Sequence, residues 1–400
     1  MQFNKTFTAF NYQLNLAGLI KLERIEMKRK LRVQFVLKYR ETYWGPDDSY
    51  TNEGYTDSTV YTDEGNGYTN SLSSGLSNSA RFVCDALNGT DLIDAELVQV
   101  QDNSFIDREV TRFKPDVVII EAFWVVPEKF AELTKLHPNI KWIIRNHSEI
   151  PFAAQEGVVM QWSLEYLKYP NVFISGNSKR SYKDMEILTD SAYPEKDCKV
   201  IYLPNVYPTK HRRTFTPKKE NEFLDIACFG AVRPLKNHLM QAVAAIEFAE
   251  KKHKKLRFHI NGGRVEGAGS KEILKNLRQL FSRLPHHDLI EHGWYPHDKF
   301  LDILETMDMG LQVSFSETFN IVGADMAHVG LPVVCSKEVL WAPGHVAADP
   351  TSSKDIYNKM RKVWFCRNMR LHQAICQWSL NSYTTESLHQ WLEELDLLVD

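Results

Sequence analysis

The chain has 400 residues, 43% hydrophobic and 25% charged, the balance of a globular protein and too long for one typical domain. With 48 basic against 51 acidic side chains and a formal charge of −3, it carries no global attraction for nucleic acid or an anionic membrane, so such binding must rest on a local patch. Its six cysteines include no C-x-x-C pair and read as reduced core thiols of a cytoplasmic protein, and no run approaches the ~18 apolar residues of a membrane span.

Residues 1–26 show no compact pattern and read as an extension or mobile arm; Met27 then opens MKRKLRVQFVLKY. Leu31 to Leu37 is the first strand. Residues 38–75 are a polar loop interleaved with Tyr43, Trp44, Tyr50, Tyr55, Tyr61 and Tyr68. A loop of this length is either a binding element or a surface insertion. Its aromatics could stack on a sugar or a base, and Tyr61 and Tyr68 are the acceptor-side candidates, with Trp124 further on. Ser73-Ser74-Gly75 opens a helix whose buried side is Ala80, Phe82, Val83, Ala86 and Leu87. Strand, glycine-bearing loop and helix make the first turn of a doubly wound domain. There is no G-x-G-x-x-G, and no dinucleotide cofactor is expected.

Alternation then repeats. Strands are expected at 95–100, 116–121, 140–145, 172–175 and 199–203, with helices at 106–113 and 127–137. Strands alternating with helices imply a parallel sheet covered on both faces, whose ligands gather at the C-terminal strand ends. Glu121 to Trp124, His147 and Ser178 fall at such ends. Taken alone, a histidine in that position is more often structural than functional. Residues 207–222 (YPTKHRRTFTPKKENE) are a proline-bearing linker. Its basic run Lys210, Arg212, Arg213, Lys218 and Lys219 either is solvated or meets a polyanionic acceptor.

A second alternating region starts at Leu224. Strand 225–229 meets Gly230-Ala231-Val232-Arg233-Pro234-Leu235-Lys236-Asn237, followed by a helix to about Lys252. Strand 257–260 ends in Asn261-Gly262-Gly263, where small residues let a ligand approach backbone. Strand 289–293 leads to Trp294, and a helix spans 300–307. Leu311 to Ser336 reads as strand, loop, helix (320–329) and strand (331–334), the helix stopped by Gly330 and Pro332. A helix start exposes free N–H groups that suit a phosphate. Glu317 stands before it and Asp325 about two turns on. Their carboxylates can accept hydrogen bonds from sugar hydroxyls; equally, Glu317 could be a capping acid and Asp325 a solvated residue. Helices at 353–366, 371–378 and 386–399 close the chain.

The pattern S-F-S-E-T-F-N-I-V-G-A-D-M-A-x-x-G-L-P-V-V is an acid, seven residues, a second acid, then small-x-G-x-P-V-V. It resembles the signature of family 4 glycosyltransferases of the GT-B fold, with Asp325 where that family usually has Glu. G-x-x-R-x-x-K-N at 230–237, N-G-G at 261–263 and H-G-W at 292–294 occur in the family's order, with the Arg-to-Lys spacing tighter than the commonest form. A looser similarity is to glycosyltransferases carried in tailed-phage genomes.

This resemblance implies an α/β protein with two Rossmann-like doubly wound domains facing a cleft and C-terminal helices crossing back to the first domain. The expected division is an N-terminal extension (1–26), an acceptor domain (27–207), a linker (208–222), a donor domain (223–375) and a returning helix (376–400). It implies retaining transfer from a nucleotide sugar such as UDP-glucose to a hydroxyl. Arg233 and Lys236 would clamp the diphosphate, Glu317 would bind donor-sugar hydroxyls, Asp325 the ribose, and His147 would lie beside the sugar. Gly75, Gly230, Asn261, Gly262, Trp294, Thr318, Phe319 and Asn320 complete the expected donor surroundings. No D-x-D occurs, so no essential metal is expected, and no cofactor beyond the donor. The expected acceptor is a hydroxymethylated or hypermodified base in duplex DNA, with a surface glycan, lipid or small molecule as alternatives. A nucleotide-sugar epimerase and a non-catalytic binding protein are the other readings of the same fold.

Overall fold

The computed structural model describes residues 29–39, 75–194, 200–209, 222–265, 267, 269–367 and 370–399. The N-terminal extension, most of the aromatic loop with Tyr61 and Tyr68, and all but the ends of the basic linker lie outside the described residues. The chain divides into two units: Met1–Lys38 with Ser79–Pro208 and Asn381–Asp400, and Tyr39–Asn78 with Thr209–Leu380.

The first unit holds strands β1 (Leu31–Lys38), β2 (Ile93–Val100), β3 (Val117–Glu121), β4 (Lys141–Asn146), β5 (Val172–Gly176) and β6 (Val200–Tyr202). They form one parallel sheet in the order β2-β1-β3-β4-β5-β6. Successive side chains of a strand point to opposite faces, and the apolar runs of β1, β3 and β4 therefore build two cores. Leu31, Val33, Phe35, Val117, Ile119 and Ile143 face one core, which also contains Trp391, Leu392 and Leu395. Val36, Val118, Ile120, Trp142 and Ile144 face the other, with Phe130 and Tyr166.

The second unit holds β7 (Phe223–Val232), β8 (Lys255–Val265), β9 (His287–Glu291), β10 (Met309–Gln312), β11 (Val333–Ser336) and β12 (Ala347–Ala348). All are parallel, in the order β12-β11-β10-β7-β8-β9. Counted from β7, this is the 3-2-1-4-5-6 order of a dinucleotide-type fold, and its direction reverses between β7 and β10.

The structure corrects the helices. The segments expected at 371–378 and 386–399 belong to one helix, Arg370–Val399, and the 320–329 helix is confined to Ile321–His328. Among the described residues, four helices go unpredicted: Ile150–Ala153, Val159–Tyr166, Lys179–Ala192 and Ser270–Phe281. Lys179–Ala192 buries only Ser181, Met185 and Thr189, so its inward stripe is too polar to stand out. Ser270–Phe281 buries Leu274, Leu277 and Phe281, a helical spacing that charged neighbours obscure. No described helix is long and apolar enough to cross a membrane.

Candidate functional site

At the reversal point of the second sheet, β7 and β10 deliver their C-terminal loops side by side. Arg233 follows β7 in extended backbone (φ −158°), and Pro234–Lys236 make a single 3-10 turn. Asn237 ends the turn in the left-handed region (φ 59°) and starts the helix His238–Lys251. Its amide Nδ2 donates to the carbonyls of Val313 (3.0 Å) and Pro350 (2.9 Å). Gln241 Nε2 donates to the Lys236 carbonyl (2.8 Å), while its Oε1 accepts from Val313 N (2.8 Å). Phe315 N donates to the Leu235 carbonyl (2.8 Å). These bonds lock the turn after β7 to the loop after β10.

That lock brings two predicted residues together: the Lys236 ammonium pairs with Glu317 Oε1. Asn320 Nδ2 donates to the same oxygen at 3.1 Å. The helix Ile321–His328 is capped by Asn320, whose Oδ1 accepts from Gly323 N at 2.7 Å. Glu317 is therefore not the cap, and both ends of the Asn320 amide are engaged within the loop. Asp325, expected either to bind ribose or to be solvated, is 2% exposed, and His297 Nε2 lies 2.7 Å from its Oδ1. His297 is a partner that sequence reasoning missed. It follows Pro296 at the start of a separate helix, and nothing local signals the pairing. Thr318 is half-buried. The Phe319 side chain is in the core, and its carbonyl accepts from Trp341 Nε1 (2.7 Å).

His238 is 1% exposed, and neither ring nitrogen has a hydrogen-bond partner. Burial, assisted by the charges of Lys236 and Arg233, lowers its pKa to about 3, so the ring is neutral and both cations act on the same small volume. Gly230 adopts φ 118° where the β7–β8 pairing shifts register; its N–H donates to Asn261 Oδ1 (2.8 Å), and Asn261 Nδ2 donates to the Gly293 carbonyl (3.1 Å). Asn261 thus braces backbone on both sides. At Gly262 a Cβ would meet Glu291 Oε2 at 2.1 Å, so the missing side chain makes room for a neighbouring one. The Arg264 guanidinium lies 4.1 Å from the Trp294 ring centroid, a geometry that attracts cation to π-face.

The first unit gathers its polar residues at the ends of β3, β4 and β5. Glu121 and Arg145 are both fully buried and paired, Nη1 to Oε1 at 3.1 Å. Arg145 Nη2 also donates to Asn205 Oδ1 (2.6 Å), and its guanidinium stands 5.1 Å from the Trp391 ring centroid. His147 Nε2–H donates to Glu121 Oε2 at 2.5 Å, which leaves Nδ1 facing the Asn177 amide at 3.5 Å. Burial raises the Glu121 carboxyl, but the Arg145 charge and the hydrogen bonds from Arg145 and His147 outweigh it and hold it below the usual carboxylate range. Burial and the Arg145 charge lower His147 from its ordinary value, so at neutral pH it is an oriented, uncharged imidazole. In the sequence Arg145 is only the end of a strand; a buried arginine is visible only from its tertiary partners. Ser178 caps the helix Lys179–Ala192 and donates to Glu149 Oε1 (2.7 Å). Trp124 packs against the second core of this unit, with its indole N–H buried and without a partner. Gly75 opens the helix Gly75–Asn88. Tyr61 and Tyr68 lie outside the described residues.

No protein-family model matches the chain, and no curated protein resembles it in sequence. Solved structures do. A sucrose-phosphate synthase from Thermosynechococcus elongatus aligns with TM-score 0.59 at 12% identity, over 91% of this chain and 98% of that one. An alpha-glucosyltransferase in complex with UDP and a 13-mer DNA containing an HMU base aligns with TM-score 0.55 at 11% identity, over 93% and 100%. Anabaena HepE in complex with UDP and glucose aligns with TM-score 0.54 at 10% identity, over 91% and 99%. The fold is that of GT-B glycosyltransferases.

Proposed function

We propose that this protein transfers a sugar from a nucleotide-sugar donor to a hydroxyl acceptor, with retention of configuration. One observation carries the reading: Lys236 after β7 and Glu317 after β10 meet at the strand-order reversal of the second sheet, with Arg233 at the start of the same turn as Lys236, where doubly wound folds bind their ligands. In the reaction the bond between the anomeric carbon and the diphosphate oxygen breaks, and its electron pair stays with the diphosphate. The acceptor hydroxyl forms the new bond and gives its proton to the departing phosphate. Lys236 and Arg233 stabilise the charge growing on that phosphate, Lys236 as a compact point charge and Arg233 as a planar fork. Glu317 holds Lys236 in place and takes sugar hydroxyls. Asp325, fixed by His297, takes the ribose. In the first unit, Glu121 keeps His147 oriented as an imidazole able to hydrogen-bond a hydroxyl.

The acceptor we favour is a hydroxymethylated base in DNA. Its support is the likeness to the glucosyltransferase bound to HMU-containing DNA. A surface glycan, a lipid or a small molecule is the competing acceptor class. The deciding experiment is a thermal-shift panel of UDP-, GDP-, ADP- and TDP-sugars on wild type and Glu317→Ala, followed by release of the nucleoside diphosphate with hydroxymethylated DNA and with unmodified DNA. A ligand that binds the native state raises Tm by mass action. One selective donor, a weakened response in Glu317→Ala and turnover only with modified DNA are expected. Turnover of donor with no acceptor would identify an epimerase, and no response to any donor would overturn the reading.

A further inference from the structure

His345, His372 and Cys376 of the second unit take no part in the site above, yet they converge. One ring nitrogen of each histidine and the Cys376 Sγ all lie within 4.8 Å of one another. His372 and Cys376 are four residues apart on the helix Arg370–Val399, so they share a face one turn apart. His345 comes from the loop before β12, and its Nε2 is 3.0 Å from His372 Nδ1. His372 is 5% exposed and Cys376 3%. His372 Nε2 is buried with no hydrogen-bond partner. Such an orphaned nitrogen is costly unless something pairs with it.

We propose that His345, His372 and Cys376 bind one divalent ion of the zinc class, with water in a fourth position. Two imidazoles and a thiolate are a borderline-soft donor set that suits Zn²⁺. Bonds of about 2.0–2.3 Å put tetrahedral ligands roughly 3.3–3.8 Å apart, a spacing reached here by small side-chain shifts. Burial lowers His372 to about 4, so its ring is neutral and able to ligate at pH 7. Cys376, whose thiol burial pushes up to about 12, loses its proton to solvent as the sulfur–metal bond forms; no oxidation state changes. His345 is exposed and gives the ion its entry path.

The ion's role is mechanical. The same loop carries Trp341, which donates to the Phe319 carbonyl (2.7 Å), while Ser379 Oγ donates to the Trp341 carbonyl (2.7 Å). The loop and the helix therefore already support the turn that presents Glu317 and Asn320, and a metal clip at His345 would fix the loop to the helix.

The test uses the full chain, reduced and stripped with a chelator, then titrated with Co²⁺ and finally Zn²⁺. One equivalent of Co²⁺ should give a thiolate-to-cobalt charge-transfer band with tetrahedral visible absorption, bleached by Zn²⁺. Saturating Zn²⁺ should raise Tm by roughly 5 °C. Cys376→Ser should remove the charge-transfer band, and His345→Ala, an exposed change that leaves the core alone, should weaken Co²⁺ binding by more than about tenfold. No band in the wild type, a band unchanged in Cys376→Ser, or unaltered affinity in His345→Ala would each overturn the site and leave only a packed hydrogen-bonded cluster.

Discussion

Acid should loosen the second unit through His238. The ring is 1% exposed and held at about 3 by burial and the neighbouring charges of Lys236 and Arg233, whereas in the unfolded chain it titrates near 6.5. Between those values the unfolded chain binds a proton that the folded protein refuses, so stability is complete above about pH 6.5 and is lost as pH falls. The loss is small at pH 7, about 2 kcal/mol by pH 5 and about 3 kcal/mol by pH 4, from the ratio of the two proton-binding polynomials. The assay is urea unfolding at half-unit steps from pH 7.5 to 4.5, comparing wild type with His238→Leu. His292 and His372, both held at about 4, steepen both curves alike, so the difference between them isolates His238. The variant should be flatter by about 2 kcal/mol between pH 7 and 5. Parallel curves would refute the reasoning, as would a His238 ring-proton resonance that titrates near pH 6.

Four substitutions extend the test to the rest of the site. Lys236→Ala should lower turnover at least about 100-fold; a change of only a few-fold would remove the diphosphate assignment. Asn320→Ala deletes the cap bond to Gly323 and the amide on Glu317 and should cost about 1 kcal/mol, read as a drop in Tm with weaker donor binding. Arg145→Met strands the buried Glu121 charge and should destabilise by about 3–5 kcal/mol, largely recovered in Arg145→Met with Glu121→Gln; no recovery would mean that packing, not charge, is the cost. Gly262→Ala drives a methyl into Glu291 and should cost about 1–3 kcal/mol, relieved when Glu291→Ala is added, with chemical denaturation as the readout.

Much of this architecture is legible in the sequence because buried parallel strands are written as continuous apolar runs. DVVIIE and KWIIRN are such runs, and their polar last residues mark where the site lies. Glu317 and Lys236 could be named because each follows a strand in a recognisable order of motifs. Their pairing was not visible, since it depends on the Asn237 and Gln241 bonds that align two loops 80 residues apart. Gly262 has the same limit: a glycine reports a need for space, and only the fold shows that Glu291 stands beside it. Arg145 and His297 take their meaning wholly from distant partners. The long C-terminal helix reads as two segments because its residues belong to different units on either side of Leu380.

That helix also sets an order of assembly. Residues 381–400 belong to the first unit, where Trp391 meets Phe35, donates its indole N–H to the Pro204 carbonyl and underlies Arg145. During synthesis the ribosome completes residues 209–380, all that the second sheet needs, before it makes this segment. The unit that starts first is thus finished last. Until Trp391 emerges, the core beneath β1 is open, and the Arg145–Glu121–His147 network stands on an incomplete floor. A nascent chain stalled short of residue 381 should hold a folded second unit beside a first unit that proteases still cut.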